Sequence, residues 1–339
     1  MSDEGNGLPK PVTIRDVAAA AGVSVGTASK ALNGRGKLRE ETRGRVMAAA
    51  ERLGFRPNSL ARQLLAGRTF TVGLVTSDSF GRFSIPVMLG AEDALGAGQI
   101  SVFMCDGRDD PIRERHYIER LLARRVEGII VTGRRTEPRP GVGALPVPVV
   151  YAMTRSADAA DLSVIPDDHG GSVLAVRHLL ALGRTRIGHI TGPRRFEAAR
   201  LRAEGWAAAL AEAGAEPAGE PLFGEWSEEW GRQAAGILLR AVPGVDAVFC
   251  GSDQIARGVA ETLRERGRRI PGDVALVGFD NWEPMALGCR PPLTTVDPNL
   301  GEIGRVAATH LLDVIGGAPH RGGVRTVPCG LVLRESTRA

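Results

Sequence analysis

A chain of 339 residues with 43% hydrophobic and 24% charged side chains is too long for one ordinary domain, and its composition excludes disordered, fibrous and membrane-embedded classes. No run approaches the roughly 20 apolar residues that span a bilayer, and the opening MSDEGNGLPK holds no apolar stretch of signal-peptide length, so the expectation is a cytosolic protein without membrane association. The net charge of +4 is unevenly placed: residues 10–69 carry 12 Lys and Arg against 4 Asp and Glu, a net +8, which leaves −4 on the rest.

A basic N-terminal module on a mildly acidic body is the footprint of phosphate binding, although a solvated basic face has the same composition. Within it, Thr13-Ile14-Arg15-Asp16 fits a capping box, and Ile14, Val17, Ala18 and Ala21 follow at helical spacing up to Gly22. Ser24 is placed to cap a second helix through Thr27, Ala28, Ala31 and Leu32, which stops at Asn33-Gly34. Two short helices with a tight glycine-containing turn predict a helix-turn-helix. A third helix from about Glu40 to Leu53 should close a small core with Val46, Met47, Ala50 and Leu53. Gly22-Val23-Ser24-Val25-Gly26 also satisfies the G-x-S-x-G pattern of a hydrolase nucleophile, but that chemistry needs a strand before the serine and here an alanine-rich helix precedes it.

Five motifs in one order, D-V-A-x-x-A-G-V-S, T-x-S-x-x-L-N, T-R-x-x-V, L-G-F-x-P-N and A-R-x-L, lie within residues 12–69. This stretch resembles the N-terminal domain of the LacI/GalR family of bacterial transcription regulators. The resemblance implies that the second helix enters the major groove with Val25, Gly26 and Lys30 at the base-reading positions, while Thr13, Ser24, Thr27, Ser29 and Asn33 contact phosphates or serve as caps and turns. It also implies a hinge helix over Asn58–Leu64, with Ala61 and Leu64 in the minor groove and Leu64 as the apolar wedge. The alternative is that Leu60 and Leu64, an i and i+4 pair, pack on the body.

From Thr71 onward, the apolar runs TVGLV, ISVFMC, VEGIIVTG, VPVVY, RIGHIT, DAVFC and VALVGF alternate with amphipathic stretches at 112–123, 170–182, 198–213, 227–241 and 254–266. Such alternation predicts parallel sheets covered by helices, with ligands bound at the carboxyl ends of the strands. The family resemblance continues through H-L-x-A-L-G-R-x-R-I-G-H-I-T-G-P at 178–193, A-R-L-R-x-x-G-W at 199–206, G-S-D-Q-I-A-R-G at 251–258, V-A-L-V-G-F-D at 274–280 and P-P-L-T-T-V at 291–296. It implies an α/β fold in which an all-α helix-turn-helix head (1–57) and a hinge (58–69) precede a periplasmic-binding-protein-like core (70–339). That core has two parallel-sheet subdomains, about 70–165 with 296–327 and about 166–295, joined by crossovers near Ile165, Val296 and Val327.

By position, the resemblance assigns Arg200 and Asp280 to ligand hydroxyls, Trp226 to stacking on a sugar face or to an ordinary core, and Ser252 and Phe83 to the remaining walls. Met153 stands where sugar-responsive members carry an aspartate, which argues against a simple galactoside. A sugar or sugar derivative is the expected effector, a nucleobase the runner-up, and no cofactor is implied.

His189 lies in an apolar strand as a core residue and Asp167-Asp168 precede a helix as caps; with His169 they match neither a zinc site nor a catalytic triad. Cys105, Cys250, Cys289 and Cys329 are widely spaced and read as buried reduced thiols. The ending LVLRESTRA lacks leucine heptads, so a homodimer is expected. A periplasmic solute-binding protein would need a signal peptide and no helix-turn-helix, and an α/β enzyme would need a P-loop, a strand-borne nucleophile or a metal cluster. The sequence therefore reads as a non-enzymatic, sequence-specific DNA-binding transcription regulator, a repressor, whose affinity for double-stranded operator DNA is set by a small effector.

Overall fold

A computed structural model describes residues 12–32, 37–55, 69–96 and 100–338. The chain divides into two compact units, 1–69 and 70–339.

The first unit holds three helices, α1 (Ile14–Ala21), α2 (Val25–Leu32) and α3 (Glu40–Arg52). The Asp16 carboxylate accepts from both the backbone N–H and the hydroxyl of Thr13 (2.8 and 2.7 Å), which ties down the first turn of α1. Gly22 ends α1 at φ +65°, a conformation that would strain a residue with a Cβ, and the N–H of Val23 returns to the Ala18 carbonyl. The Ser24 hydroxyl then caps α2 by accepting from the N–H of Thr27 at 3.1 Å. Val17, Ala18, Ala21, Ala28, Ala31, Val46, Ala49 and Ala50 form the core. Met47 does not join it and is 50% exposed, because 46, 49, 50 and 53 share one face of α3 while 47 lies a hundred degrees around the axis.

In the second unit, the described residues form two six-stranded sheets and a two-stranded one. The first sheet takes β1 (Thr71–Thr76), β2 (Ser101–Asp106), β3 (Gly128–Thr132), β5 (Val149–Ala152), β7 (Leu162–Pro166) and β13 (Gly323–Val327) in the order β13-β7-β5-β3-β1-β2, all parallel. The second takes β8 (Ile187–Thr191), β9 (Leu222–Phe223), β10 (Ala247–Cys250), β11 (Ala275–Phe279), β12 (Thr294–Asp297) and β14 (Gly330–Val332) in the order β14-β12-β11-β10-β8-β9, with only β14 antiparallel. The short pair is β4 (Pro138–Arg139) with β6 (Arg155–Ser156). The chain passes from one sheet to the other after β7, after β12 and after β13, and the segment beyond 327 joins the second sheet through β14.

Of the strands that precede these crossings, β7 is buried throughout and β12 nearly so, whereas β13 is buried only at its last residue, Val327. Two further helices, Ser84–Ala94 and Leu300–Ile315, carry glycines and, in the first, Pro86, which weaken the helical signal. Their glycines are a packing requirement. A methyl group on Gly90 would run into the Gly301 carbonyl, and one on Gly304 into the Val87 carbonyl, so the two helices touch backbone to backbone. No helix among the described residues is long and apolar enough to cross a membrane. The four cysteines are free thiols; Cys250 and Cys289 are buried as expected, whereas Cys105 and Cys329 are only partly so.

Candidate functional site

In the first unit, Val25, Gly26 and Lys30 are exposed along one side of α2, with half-buried Ser29 on the same side, opposite the buried Ala28 and Ala31. Ser24 and Thr13 lie exposed at the N-termini of α2 and α1, and half-buried Thr27 shares a hydroxyl–hydroxyl contact of 2.9 Å with Ser24. Val25, Gly26 and Lys30 thus give α2 an exposed side bearing one cation and one apolar side chain, a shape that fits a DNA groove. Asn33, Ala61 and Leu64, with the expected hinge helix, lie outside the described residues.

In the second unit, the carboxyl ends of both sheets face a cavity of about 710 Å³ between the subdomains. Asp280 follows β11 at φ +112° and is reached from both sides. Arg82, on the loop after β1, pairs with it across the cleft, donates to Gln254 Oε1 at 3.2 Å and lies over the Trp282 ring at 4.5 Å. Arg202, on the helix Glu197–Glu212, stands 3.7 Å from Asp280, donates to Asp168 Oδ1 at 2.8 Å and covers the Phe279 ring at 3.6 Å.

Burial raises the Asp280 pKa against the pull of Arg82 and Arg202. Burial opposes the Arg202 charge, yet Asp168 and Asp280 more than offset it, so its pKa stands above the ordinary value. Asp253, behind Asp280, is pushed well above the usual carboxylate range by burial and by its acidic neighbour, while accepting from the Trp282 N–H at 2.8 Å.

The cleft brings together four of the expected ligand residues, Phe83, Trp226, Ser252 and Asp280. Ser252 caps the helix Asp253–Glu265 by accepting from the Ile255 N–H at 3.2 Å, and Trp226 lies flat on Gly192, where any Cβ would strike the indole. Arg200 is not among them. It is exposed and donates to the Arg194 and Arg195 carbonyls at 3.1 and 3.0 Å, while Arg202, 8% exposed, occupies the cleft. The reason is helical phase: Ala199, Arg202, Ala203, Trp206, Ala209 and Leu210 form the buried stripe, and Arg200 falls off it. That stripe was a readable signal, since an arginine in phase with buried alanines and tryptophan needs an acidic partner. Asp168 provides one, so it is a cleft residue as well as a first-turn carboxylate, and Asp167 alone is the cap. Arg82, Gln254 and Trp282 also went unrecognised, because nothing local marks a loop arginine as reaching another subdomain.

His189 is a core residue, stacked on Phe249 at 4.8 Å with its Nδ1–H donating to the Phe249 carbonyl at 2.9 Å. Among the described residues no group of three or more His, Cys, Asp or Glu could hold a metal ion.

Comparison with known proteins joins these two sites. Residues 13–58 match the bacterial regulatory proteins of the lacI family, and residues 176–337 match the periplasmic binding protein-like domain. The ribose operon repressor of Halalkalibacterium halodurans is 31% identical over 96% of this chain and 97% of its own length. The chain belongs to the LacI family. This regulator is also 30% identical to the HTH-type transcriptional repressor CytR of Escherichia coli K12, over 96% of each chain. Its structure resembles the Lac repressor dimer bound to operator and the anti-inducer ONPF, with a TM-score of 0.72, 29% identity and coverage of 97% of this chain and all of that one. It is a DNA-binding transcription regulator, with a helix-turn-helix head and a ligand-binding core of two parallel-sheet subdomains.

Proposed function

We propose that this regulator is a homodimeric repressor, acting in the cytoplasm where the chromosome is, whose hold on its operator is set by a sugar or sugar derivative bound between the core subdomains. The observation that carries the reading is the Arg202–Asp280–Arg82 constellation flanked by Trp226, Trp282 and Phe83. A carboxylate set between guanidiniums offers acceptors and donors side by side to neighbouring hydroxyls, and flat aromatic walls suit the apolar face of a sugar ring. Arg202, rather than Arg200, takes the role of ligand guanidinium, with Asp280, Trp226, Ser252 and Phe83 around it. Charges that neutralise one another in pairs favour binding over catalysis, so no enzymatic step is assigned.

At the DNA, Val25, Gly26 and Lys30 occupy the base-reading positions, where valine offers apolar contact, lysine a donor and glycine no side chain, and Thr13, Ser24, Thr27, Ser29 and Asn33 hold phosphates. Ala61 and Leu64 enter the minor groove. The names of relatives, a ribose operon repressor and a repressor seen with an anti-inducer, agree with a small carbohydrate-like effector.

The test is a thermal-shift screen of the full chain against sugars, sugar phosphates and nucleobases, followed by an operator gel shift with each stabilising compound. The expected hit raises the melting temperature of the wild type, changes operator affinity, and does neither in Asp280→Ala. A hit that still acts on Asp280→Ala removes the cleft from the reading, and a nucleobase hit replaces the sugar.

A further inference from the structure

Away from the cleft, at the amino ends of β7 and β13, two histidines of the first subdomain meet. His310 lies on the helix Leu300–Ile315, and His320 in the connection from that helix to β13. His310 Nε2 stands 3.3 Å from His320 Nδ1, with the rings edge to face at a centroid distance of 5.2 Å. Water reaches both, since His320 is exposed and His310 half-buried.

Backbone packing fixes the second ring. A methyl group on Gly322 would strike the Ala159 and Ala160 carbonyls, and the Gly323 N–H donates to the Asp161 carbonyl at 3.0 Å, so the loop ahead of β13 lies directly on the turn ahead of β7. That contact lets the His320 Nε2–H donate to the Ala160 carbonyl at 3.0 Å. The carbonyl selects the tautomer: His320 Nδ1 keeps its lone pair, and that lone pair faces His310. A direct bond from the His310 Nε2–H uses it poorly, because 3.3 Å lies beyond the roughly 2.7–3.2 Å of ordinary N–H hydrogen bonds. Partial burial, then His320, Arg321 and Arg325, hold the His310 pKa below its ordinary value against the opposing charge of Asp313. The ring is thereby kept in the neutral form that a metal requires.

We propose that His310 and His320 form a two-histidine site for a divalent cation of the zinc, nickel or copper class, with water on its remaining positions. The spacing fits. Two nitrogens bound at about 2.0–2.1 Å with a tetrahedral angle between them lie roughly 3.3–3.4 Å apart, so the ion enters with small ring rotations and no backbone movement. His310 moves its proton to Nδ1 and presents Nε2, while the His320 Nε2–H stays on Ala160, the kind of anchor that commonly orients a metal-bound imidazole. Imidazole suits zinc, nickel and copper, whereas magnesium and calcium take oxygen ligands. The described residues hold no group of three such ligands, so two imidazoles make this an exchangeable ion rather than a buried structural one. Its place gives it a consequence. The helix Leu300–Ile315 and β13 are the stretch of chain between the crossing after β12 and the crossing after β13, and the ion clips the end of that helix to the loop leading into β13. Binding to the folded core alone then stabilises it by mass action.

The test is calorimetric titration of the full-length, untagged chain with Zn²⁺, Ni²⁺ and Mg²⁺, above and below the ordinary histidine pKa of about 6.5. The expected result is an ion of Zn²⁺ or Ni²⁺ that His310→Gln and His320→Gln each weaken at least about tenfold, that is lost at the lower pH as the imidazoles protonate, and that Mg²⁺ does not replace. His116→Gln, which removes an exposed histidine elsewhere in the first subdomain, should leave it unchanged. Zinc binding that survives both substitutions belongs to the thiols or to another histidine and overturns the site. So does binding that only one of the two weakens, because a single imidazole is not the chelate. Should the variants fold poorly, paramagnetic resonance of the wild type with one equivalent of Cu²⁺ decides alone: coupling to two imidazole nitrogens supports the pair, and coupling to one overturns it.

Discussion

The head and the cleft place function in opposite ways. In the head, 41 consecutive positions from Val12 to Arg52 hold the caps, the turn, the core and the groove-facing side of α2, and the hydrogen bonds that cap α1, make the turn and open α2 link residues three to five apart. In the cleft, Arg82 meets Asp280 across 198 positions and Arg202 meets Asp168 across 34. The head works through side chains that stay exposed, so its function needs only the right face on the right helix. The cleft works through charges taken out of water, and a buried charge is tolerable only where the fold brings it a partner.

The largest expected effect sharpens this contrast within one helix. Arg202→Ala leaves Asp168 buried without its guanidinium and Asp280 with Arg82 alone, and should cost the core about 3–5 kcal/mol. Arg200→Ala, two positions away on the exposed face, should stay within about 0.5 kcal/mol. Urea unfolding of the full chain followed by core tryptophan fluorescence measures both, and equal losses would mean that the helical phase described here is wrong.

The head can be broken without touching the cleft. Val46→Ala removes two methyl groups from a core built mostly of alanine and should cost roughly 2 kcal/mol, a large share of what so small a unit has. Operator binding should fall while effector-induced thermal stabilisation of the core persists. Loss of both would show that the units are not independent in stability.

A titration sharpens the cleft side. Burial holds the His189 pKa down to about 3, against roughly 6.5 in an unfolded chain. Its neutral ring therefore contributes stability that is fully present above about pH 6.5 and is lost as pH falls toward 3, because the unfolded state binds the extra proton. Buried Asp253, with its raised pKa, acts in the opposite sense, so the informative quantity is a difference between variants. Relative to His189→Phe, the wild type should lose about 1.4 kcal/mol per pH unit below 6.5. Parallel pH profiles would place a charged or solvated His189 in the folded protein.

The smallest effect returns to the head. Ser24→Ala removes the hydroxyl that accepts from Thr27 and should cost about 1 kcal/mol, read as a lower melting temperature of the head by circular dichroism. Ser24→Asp should restore most of it, since a carboxylate also caps. Failure of that rescue would assign Ser24 a role other than capping.

Legibility followed the same division. The capping box at Thr13, the left-handed Gly22 and the Ser24 cap were readable because each depends on neighbours within a turn of helix. The parallel-sheet strands TVGLV, RIGHIT and VALVGF were readable as apolar runs of strand length, since burial on both faces removes any alternation. The helices with Gly90 and Gly304 were not, because glycine lowers helical propensity locally while permitting close packing with a partner more than 200 residues away.

Of the site, Asp280, Trp226, Ser252 and Phe83 could be assigned by family position. Choosing Arg202 over Arg200 needed only the phase of the buried stripe, and that information was present in the sequence. Arg82 is different. A loop arginine has no periodicity, and only the docking of two sheets, joined by three chain crossings, puts its guanidinium on a carboxylate from the other subdomain. Local order is written in short-range hydrogen bonds and side-chain phase, which the chain carries from residue to residue. Partners for buried charge are chosen by the packing of whole elements, which comes into being only with the tertiary structure.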